Sequence, residues 1–133
     1  MCLFCKIINN EISSFKVFED EFTVAFLDIS QETKGHTLIL PKKHIENVFE
    51  LDQETANHLT KTILKTISIL KTKLNFENIN ILNNSGSLAG QTVHHLHIHL
   101  IPQYENDHFS FNHPQHEPNF KTLEETQNLI LGK

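Results

Sequence analysis

The segment QTVHHLHIHLIP, residues 91–102, holds four of the ten histidines in this chain. Three of the four alternate with single aliphatic residues, which is the period of a β-strand. Such a strand has an aliphatic face and a histidine face, with successive side chains on one face about 6.6 Å apart. The aliphatic face is expected to pack in the core. The histidine face, formed by His95, His97 and His99, is expected to be a metal site, a catalytic site or both.

The overall composition limits the class of protein. A chain of 133 residues with 38% apolar content is long enough to bury a core, and we expect one domain over residues 1–133. The formal charge of −5, with no lysine run interleaved with aromatic residues, argues against a nucleic acid polymer as a partner. Because no apolar run resembles a membrane span or a signal peptide, we expect a soluble, cytoplasmic protein with no membrane partner.

The chain contains no arginine, which restricts how it can bind a phosphate group. A bidentate guanidinium clamp is excluded, so backbone N–H groups, hydroxyls, amides, histidines or lysines must supply the hydrogen bonds. The loop NNSGSLAGQT, residues 83–92, offers such donors directly before the histidine segment, and its glycines let N–H groups turn toward an anion. A loop of this composition is more often only a turn. The histidines beside it favour the interpretation as a phosphate-binding loop.

The segments before the histidines predict an α+β fold. Two runs rich in Val and Phe around an acidic corner predict an antiparallel hairpin over residues 15–28, and GHTLILP, residues 35–41, predicts a third strand. Asp52 is a candidate N-cap for one long amphipathic helix, whose apolar residues recur every three or four positions from Ala56 to Leu74. NINILN, residues 78–83, and the histidine segment complete an antiparallel sheet of about five strands.

The segment after the histidines differs in composition from the core, which we expect over residues 2–102. Residues 103–133 begin with a polar, proline-containing stretch that has no periodicity, and this predicts a surface arm at the C-terminus. A short amphipathic segment over residues 123–131 predicts a helix that docks on the body or on a partner.

Two cysteines lie three positions apart in CLFC, residues 2–5. In a cytosolic protein such a pair indicates metal binding or redox activity rather than a structural disulfide, and the redox alternative requires a βαβ context that the pattern does not offer. Two thiolates leave zinc half coordinated, so histidines are expected to complete the site, and the spacing alone does not identify which ones. A catalytic zinc on the histidine strand and metal-free histidine chemistry both remain open from the residues alone.

The histidine segment resembles a known family. HLHIHLIP, residues 95–102, matches the alternating pattern that names the histidine triad (HIT) superfamily of nucleotide hydrolases and transferases, and AGQTV before it resembles the family's phosphate loop. The upstream blocks FCKIINNEI, VFEDE, AFLDIS and KGHTLILPKKHI are similar, in order and spacing, to Hint-like bacterial HIT proteins. The resemblance implies a HIT-like fold with a short N-terminal helix beside the five strands and the long helix. It also implies a homodimer in which the two sheets join into one.

The resemblance implies a role for each residue of the site. His97 matches the family's nucleophile, while His99 and His36 match positions that contact the phosphoryl oxygens, and Gln91 joins them as a donor of the phosphate loop. Asp28 matches the residue that holds the ribose hydroxyls, and its two neighbours flank the base. The implied substrate-binding positions are Leu27, Asp28, Ile29, Asn84, Gly90, Gln91, Thr92 and His99.

The resemblance also implies a zinc ligand set. Cysteine-bearing members, and the related galactose-1-phosphate uridylyltransferases, hold a structural zinc ion with a C-x-x-C pair, a histidine of the P-x-x-H block and the first histidine of the triad. In this sequence the matching residues are Cys2, Cys5, His44 and His95. No catalytic cofactor is implied.

The implied function is hydrolysis at the α-phosphate of purine nucleoside monophosphate conjugates, of the adenosine phosphoramidate type, through a nucleotidyl-histidine intermediate that releases AMP or GMP. Two alternatives remain open: a dinucleoside polyphosphate hydrolase of the Fhit type, and a nucleotide- or zinc-binding interaction module with vestigial turnover. The cysteine pair and the PKKH block favour the Hint-type activity over the Fhit type.

Overall fold

The computed structural model describes residues 2–107 and 115–133. These residues form one five-stranded antiparallel sheet in the order β1-β2-β3-β5-β4, together with three α-helices. This confirms the predicted α+β architecture with one long helix and a short N-terminal helix. The elements are α1 (Leu3–Ile8), β1 (Lys16–Glu19), β2 (Thr23–Leu27), β3 (Thr37–Pro41), α2 (Gln53–Leu74), β4 (Asn78–Leu82), β5 (Ile98–Gln103) and α3 (Phe120–Leu131).

The β1–β2 hairpin forms where the acidic corner predicted it. Asp20 closes the corner, because its Oδ1 accepts hydrogen bonds from the N–H groups of Phe22 and Thr23, each at 2.8 Å. β2 then pairs with β3 along the whole of both strands, from Thr23 opposite Pro41 to Leu27 opposite Thr37. β3 is the central strand of the sheet, and all five of its residues are buried.

The long helix α2 begins and ends at the signals that the sequence contains. The carboxylate of Asp52 accepts hydrogen bonds from the N–H and the hydroxyl of Thr55, which lower the pKa of Asp52 to about 2. Asn75 ends the helix in the left-handed conformation, with φ of 58°. The helix packs on the sheet through Leu59 and Leu70, which are buried in the main core cluster.

The predicted histidine strand is shorter than its alternation indicated. β5 begins at Ile98, and residues 91–97 form bends and irregular backbone. The strand pairing is interrupted because other groups take the hydrogen bonds: the N–H of Leu96 donates to the carbonyl of Ile45 at 2.7 Å, and a ring nitrogen of His95 donates to the carbonyl of Pro41 at 2.8 Å. Leu96 and Leu100 pack in the core as predicted. Burial does not alternate along the segment, however, because His95 and His97 are buried as well, at 0% and 7% exposure.

The C-terminal region contains the predicted helix, which is longer than expected because α3 begins at Phe120 rather than at residue 123. Its apolar side chains are exposed instead of docked on the body, and Leu129 and Ile130 are 81% and 76% exposed. Residues 108–114 of the predicted arm lie outside the described residues. Within the described ranges, no helix has the length and apolar character needed to cross a membrane.

Candidate active site and metal centre

A cavity of about 400 Å³ lies between α1, the ends of β2 and β3, and the loop before β5. One end is polar and contains His97 and His99 together with the loop residues Asn84, Gly90 and Thr92. The rest of the wall is mostly apolar. It includes Leu3, Phe4, Ile7, Ile12, Phe15, Phe26, Leu27, Ile29 and Leu38. An apolar chamber with convergent polar groups at one end suits a ligand with a flat apolar part and an anionic part.

His97 is held in one tautomer by its own backbone. Its Nδ1 lies 2.7 Å from the carbonyl oxygen of His95, and a carbonyl only accepts, so Nδ1 carries the proton. Burial lowers the pKa of His97, which keeps the ring neutral and leaves a lone pair on Nε2. The ring also packs edge-on against Phe4 of α1, with centroids 5.0 Å apart. His97 therefore has the protonation state that a nucleophilic imidazole requires.

His99 is oriented by a chain of hydrogen bonds that starts at Glu32. The N–H of Glu32 donates to Nδ1 of His36 at 3.2 Å, so the proton of His36 must be on Nε2. That Nε2–H then donates to Nδ1 of His99 at 2.9 Å. His99 is left with its own proton on Nε2, the nitrogen that is free for a ligand. A neutral N–H donor thus stands beside the Nε2 lone pair of His97.

The low pKa of His99 agrees with a neutral ring that carries a single proton. Burial, followed by the proximity of His97 and His36, lowers the pKa of His99 to about 4, while Asp28 partly opposes the shift. The ring is therefore neutral near pH 7 and acts as a hydrogen-bond donor without a formal charge.

The ring of His36, which was expected to contact the phosphoryl oxygens, is hydrogen-bonded to His99. The side chain of His36 is 3% exposed and lies behind His99, outside the cavity wall. Its Nε2 lies 2.9 Å from His99 and 3.6 Å from Oδ2 of Asp28. We therefore assign His36 a positioning role, in which it fixes the tautomer of His99.

The side chain of Gln91, which was expected to donate to the phosphate, is hydrogen-bonded within the loop. Its side chain is 5% exposed, and its Oε1 accepts a hydrogen bond from the N–H of Gly86 at 2.8 Å. Its Nε2 donates to the carbonyls of Glu46 and Val93 at 2.7 and 3.0 Å. Because all these partners belong to the protein, Gln91 braces the loop, and the cavity wall is formed by its neighbours Gly90 and Thr92.

The acidic residue expected at the ribose lies at the end of β2. The Oδ1 of Asp28 accepts a hydrogen bond from the N–H of Ser30 at 2.8 Å, which holds the carboxylate at the cavity wall. Leu27 and Ile29 on either side also line the cavity, and Ile29 is 91% exposed. The carboxylate oxygen and one ring nitrogen of each of His36 and His99 lie within 4.8 Å of one another, so Asp28 adds an acceptor beside the histidines.

A second cluster joins α1 to the segments at residues 44 and 95. The possible ligand atoms of Cys2, Cys5, His44 and His95 all lie within 4.8 Å of one another. The Sγ of Cys5 is 3.3 Å from Nδ1 of His44 and 3.6 Å from Nδ1 of His95, and the Sγ of Cys2 is 3.7 Å from the latter. Neighbouring S and N ligands of a tetrahedral zinc ion are about 3.5 Å apart, so the four side chains fit this metal.

The tautomer of His95 also fits a metal ligand. Its Nε2 donates to the carbonyl of Pro41 at 2.8 Å, which leaves a lone pair on Nδ1, directed toward the two thiols. The ring is fully buried, and burial lowers its pKa, so it stays neutral. A buried lone pair between two thiols is the donor set that zinc prefers. The cluster lies outside the cavity and is suited to a structural role.

Sequence analysis missed two groups that shape the site. The apolar wall of the cavity includes four side chains from the first fifteen residues: Leu3, Ile7, Ile12 and Phe15. The only feature of this segment that could have predicted a binding wall was its high density of large apolar residues. The backbone N–H of Glu32, which fixes the proton on His36, carries no sequence signal because every residue except proline has this group.

Comparisons with known proteins find a family model and several relatives that match this chain. The family model described as "HIT domain" matches residues 9–106. A HIT-like protein of Methanocaldococcus jannaschii, described as uncharacterized, is 51% identical over 107 residues, which are 80% of this chain and 82% of that protein. An adenosine 5'-monophosphoramidase of Saccharomyces cerevisiae is 35% identical over 136 residues, covering 99% of this chain and 82% of the yeast protein.

Solved structures extend the similarity to the whole fold. The crystal structure of a Streptococcus mutans protein superposes with a TM-score of 0.94 at 46% identity, and the match covers 98% of this chain and 83% of that one. The family model and the relatives each span well over half of the chain, so the chain belongs to the HIT family.

Proposed function

We propose that this protein hydrolyses purine nucleoside monophosphate conjugates at the α-phosphate and releases AMP or GMP. The observation that carries the proposal is the juxtaposition of two neutral histidines with opposite roles. His97 offers an Nε2 lone pair at the cavity wall, and His99 beside it offers an Nε2–H. One attacks phosphorus while the other donates to a phosphoryl oxygen, as phosphoryl transfer requires.

In the first step, Nε2 of His97 forms a bond to the α-phosphorus, and the bond from phosphorus to the leaving group breaks. The leaving group departs with the electron pair and takes a proton from solvent. The nucleotide is then held as a phosphoramidate on His97, whose Nδ1–H continues to donate to the carbonyl of His95. His99 and the backbone of the loop at Gly90 stabilise the charge on the phosphoryl oxygens.

In the second step, water attacks the same phosphorus atom on the face opposite His97. The bond to Nε2 breaks and its electron pair returns to Nε2, while one proton of the attacking water is released to solvent. The nucleoside monophosphate then leaves, and His97 is again neutral with its proton on Nδ1. The polar end of the cavity supplies positioning and electrostatic stabilisation in both steps, which is the main demand of phosphoryl transfer.

The apolar end of the cavity supports a purine as the base. Its wall is formed by large aliphatic and aromatic side chains, among them Ile7, Phe26 and Leu38, which bind a flat ring by burial of apolar area. We assign the Asp28 carboxylate, which lines the same cavity, to the ribose hydroxyls. The similarity to the yeast adenosine 5'-monophosphoramidase agrees with such a substrate.

Release of AMP from two substrates tests the proposal. We expect wild-type protein to release AMP from an adenosine phosphoramidate with a higher kcat/KM than from a diadenosine polyphosphate. Replacing Asp28 by alanine is expected to raise KM by about 10-fold, the effect of losing one charge-assisted hydrogen bond. Faster hydrolysis of the diadenosine polyphosphate would indicate the Fhit-type activity instead. Nucleotide binding without any AMP release would indicate a binding module.

We also propose that Cys2, Cys5, His44 and His95 hold one structural zinc ion. The support is the fit of their separations and of the His95 tautomer to a closed tetrahedral site. Such a site fixes α1 to the backbone of the histidine segment. The proposed ion takes no part in the reaction, because a site with four protein ligands has no open position for substrate.

We further propose that two copies join through β4 into one continuous sheet. Among the residues that the structure describes, β4 is an edge strand, so the outer side of its backbone can pair with a second copy. Ile81 on this strand is 53% exposed and offers apolar area to the same partner. Sedimentation at micromolar concentration is expected to give twice the mass of one chain. Replacing Ile81 by lysine is expected to shift the protein toward monomer, whereas the same change at exposed Leu64 on α2 leaves the mass unchanged. Wild-type protein that sediments only as monomer contradicts this arrangement.

A further inference from the structure

The backbone carbonyl of His97 is bound by a side chain rather than by the sheet. The pairing of β4 with β5 runs to Leu82 opposite His99, so His97 lies just beyond the last pair. There the Nδ2 of Asn83 donates to the carbonyl oxygen of His97 at 3.0 Å. The amide of Asn83, the first residue after β4, thus extends the ladder by one hydrogen bond at the position of the proposed nucleophile.

Asn83 is itself held by a second hydrogen bond on its other atom. The hydroxyl of Ser85 donates to Oδ1 of Asn83 at 2.6 Å, and Ser85 in turn accepts from the N–H of Val48 at 3.1 Å. Because a carbonyl can only accept, the order of donors in this chain is fixed from Val48 to His97. The amide of Asn83 therefore has one orientation, and it presents an N–H group to His97.

The two anchors of His97 act on different parts of the residue. The carbonyl of His95 fixes the ring through Nδ1, and Asn83 fixes the peptide that follows the ring. His97 needs the second anchor because it lies in irregular backbone between residue 91 and the start of β5. A displacement of about 1 Å in a reacting group lowers the rate about 100-fold, and sites hold such groups to within about 0.5 Å.

We propose that Asn83 is a positioning residue for the nucleophile His97, and that Ser85 holds Asn83 in the required orientation. Asn83 lies outside the cavity wall, whereas its neighbour Asn84 lines it, so the two adjacent asparagines have different tasks. Asn83 acts through the backbone of His97 and does not contact substrate. This inference rests on the proposed function, because it gives Asn83 a part in attack by His97.

Kinetics of an Asn83→Ala variant test the inference. We expect kcat for AMP release to fall by about 10- to 100-fold while KM stays within about threefold, because attack geometry is lost and substrate contacts are kept. The rate of formation of the nucleotidyl-histidine in a single turnover is expected to fall by the same factor. Ser85→Ala is expected to cause a smaller loss of kcat, and Ser85→Thr, which keeps the hydroxyl, to restore it.

Asn80→Ala provides the matched control. Asn80 also lies on β4, and its Oδ1 accepts a hydrogen bond from Nε2 of Gln103 on β5 at 2.9 Å. This variant loses one side-chain hydrogen bond between the same two strands without changing any contact of His97. We expect its kcat to stay within about twofold of wild type. An equal loss of kcat in Asn80→Ala and Asn83→Ala would reduce the role of Asn83 to general stability and overturn the inference.

A readout without turnover separates this inference from the proposed function. In ¹⁵N-labelled protein, we expect the Nδ1–H proton of His97 to exchange with solvent faster in Asn83→Ala than in wild type or Asn80→Ala. If wild type releases no AMP, the proposed function fails, and unchanged exchange in Asn83→Ala then rejects the positioning role as well. If wild type is active and Asn83→Ala keeps its kcat, the inference about Asn83 fails while the proposed function stands.

Discussion

Replacing His97 by alanine is expected to lower nucleotide release by at least about 10⁴-fold, because the variant lacks the atom that forms the bond to phosphorus. AMP should still bind to the variant, since the apolar chamber and Asp28 are unchanged. An adenylyl donor should label wild-type protein with an acid-labile nucleotide, and this label should be absent from His97→Ala. Mass spectrometry after rapid quenching measures the label directly.

His99 and His36 are expected to give smaller losses in the same assay. His99→Ala removes one donor to the phosphoryl oxygens, which corresponds to a loss of about 10²- to 10³-fold in kcat. His36→Ala keeps the ring of His99 but no longer fixes which of its nitrogens carries the proton. The loss of kcat in His36→Ala should therefore not exceed the loss in His99→Ala. Both variants keep His97 and should still be labelled, at a lower rate.

His94→Ala is the matched control for loss of a histidine from this segment. The His94 side chain is exposed, lies 3.6 Å from Oε1 of Glu46, and is not part of the cavity wall. Its removal should change neither the labelling nor the rate of AMP release. Full labelling in His97→Ala would assign the nucleophile to another residue and reject the mechanism.

The elements that the sequence predicted well are those whose signals are local. Asp52 predicted the start of α2, and the apolar period after it predicted Leu59 and Leu70 on the buried face, because the N-cap and the stripe depend on residues within a few positions. The period did not include Thr62 and Thr66, which are also buried on this helix. The hairpin over residues 15–28 was predicted in the same way, from two β-rich runs and an acidic corner. The resemblance to HIT proteins then placed these elements in the correct fold.

The hydrogen-bond partners of two predicted site residues depend on contacts between distant segments. Gln91 and His36 match family positions at the phosphate, yet their side chains bond to the protein, Gln91 to the carbonyl of Glu46 and His36 to the ring of His99. A pattern gives the identity of a residue and its approximate position, but which of its atoms are already hydrogen-bonded depends on the tertiary structure. The length of the histidine strand was overestimated for the same reason, since His95 and Asn83 replace backbone partners with side chains.

The metal cluster and the cavity share one structural element, the short helix α1. Cys2, the N-cap of α1, and Cys5 in its first turn attach the helix at the proposed zinc site, while Leu3, Phe4 and Ile7 form part of the cavity wall. A helix of six residues has little stability of its own, so its position depends on these attachments. Loss of the metal is therefore expected to lower the stability of the fold directly. It is expected to change the cavity only through displacement of α1.

Replacing Cys5 by serine is the sharpest test of this dependence. The hydroxyl of serine is a poor zinc ligand, so metal analysis should find about one zinc ion per chain in wild type and almost none in the variant. Structural zinc contributes on the order of 10 kcal/mol in small peptides, and a domain with its own core should lose less, about 3 kcal/mol. That loss corresponds to a fall in Tm of about 10 °C for a domain of this size.

Lys6→Ser introduces the same residue on α1 without removing a thiol, and it should keep both the zinc and nearly all of the thermal stability. A chelator should lower the Tm of wild type and of Lys6→Ser toward that of Cys5→Ser, and it should leave Cys5→Ser unchanged. At temperatures well below Tm, kcat of Cys5→Ser should fall much less than that of His97→Ala, because His97 keeps its bond to the carbonyl of His95. Wild-type protein purified without chelator that contains no zinc, or zinc that is bound by His97 and His99, would reject the structural site.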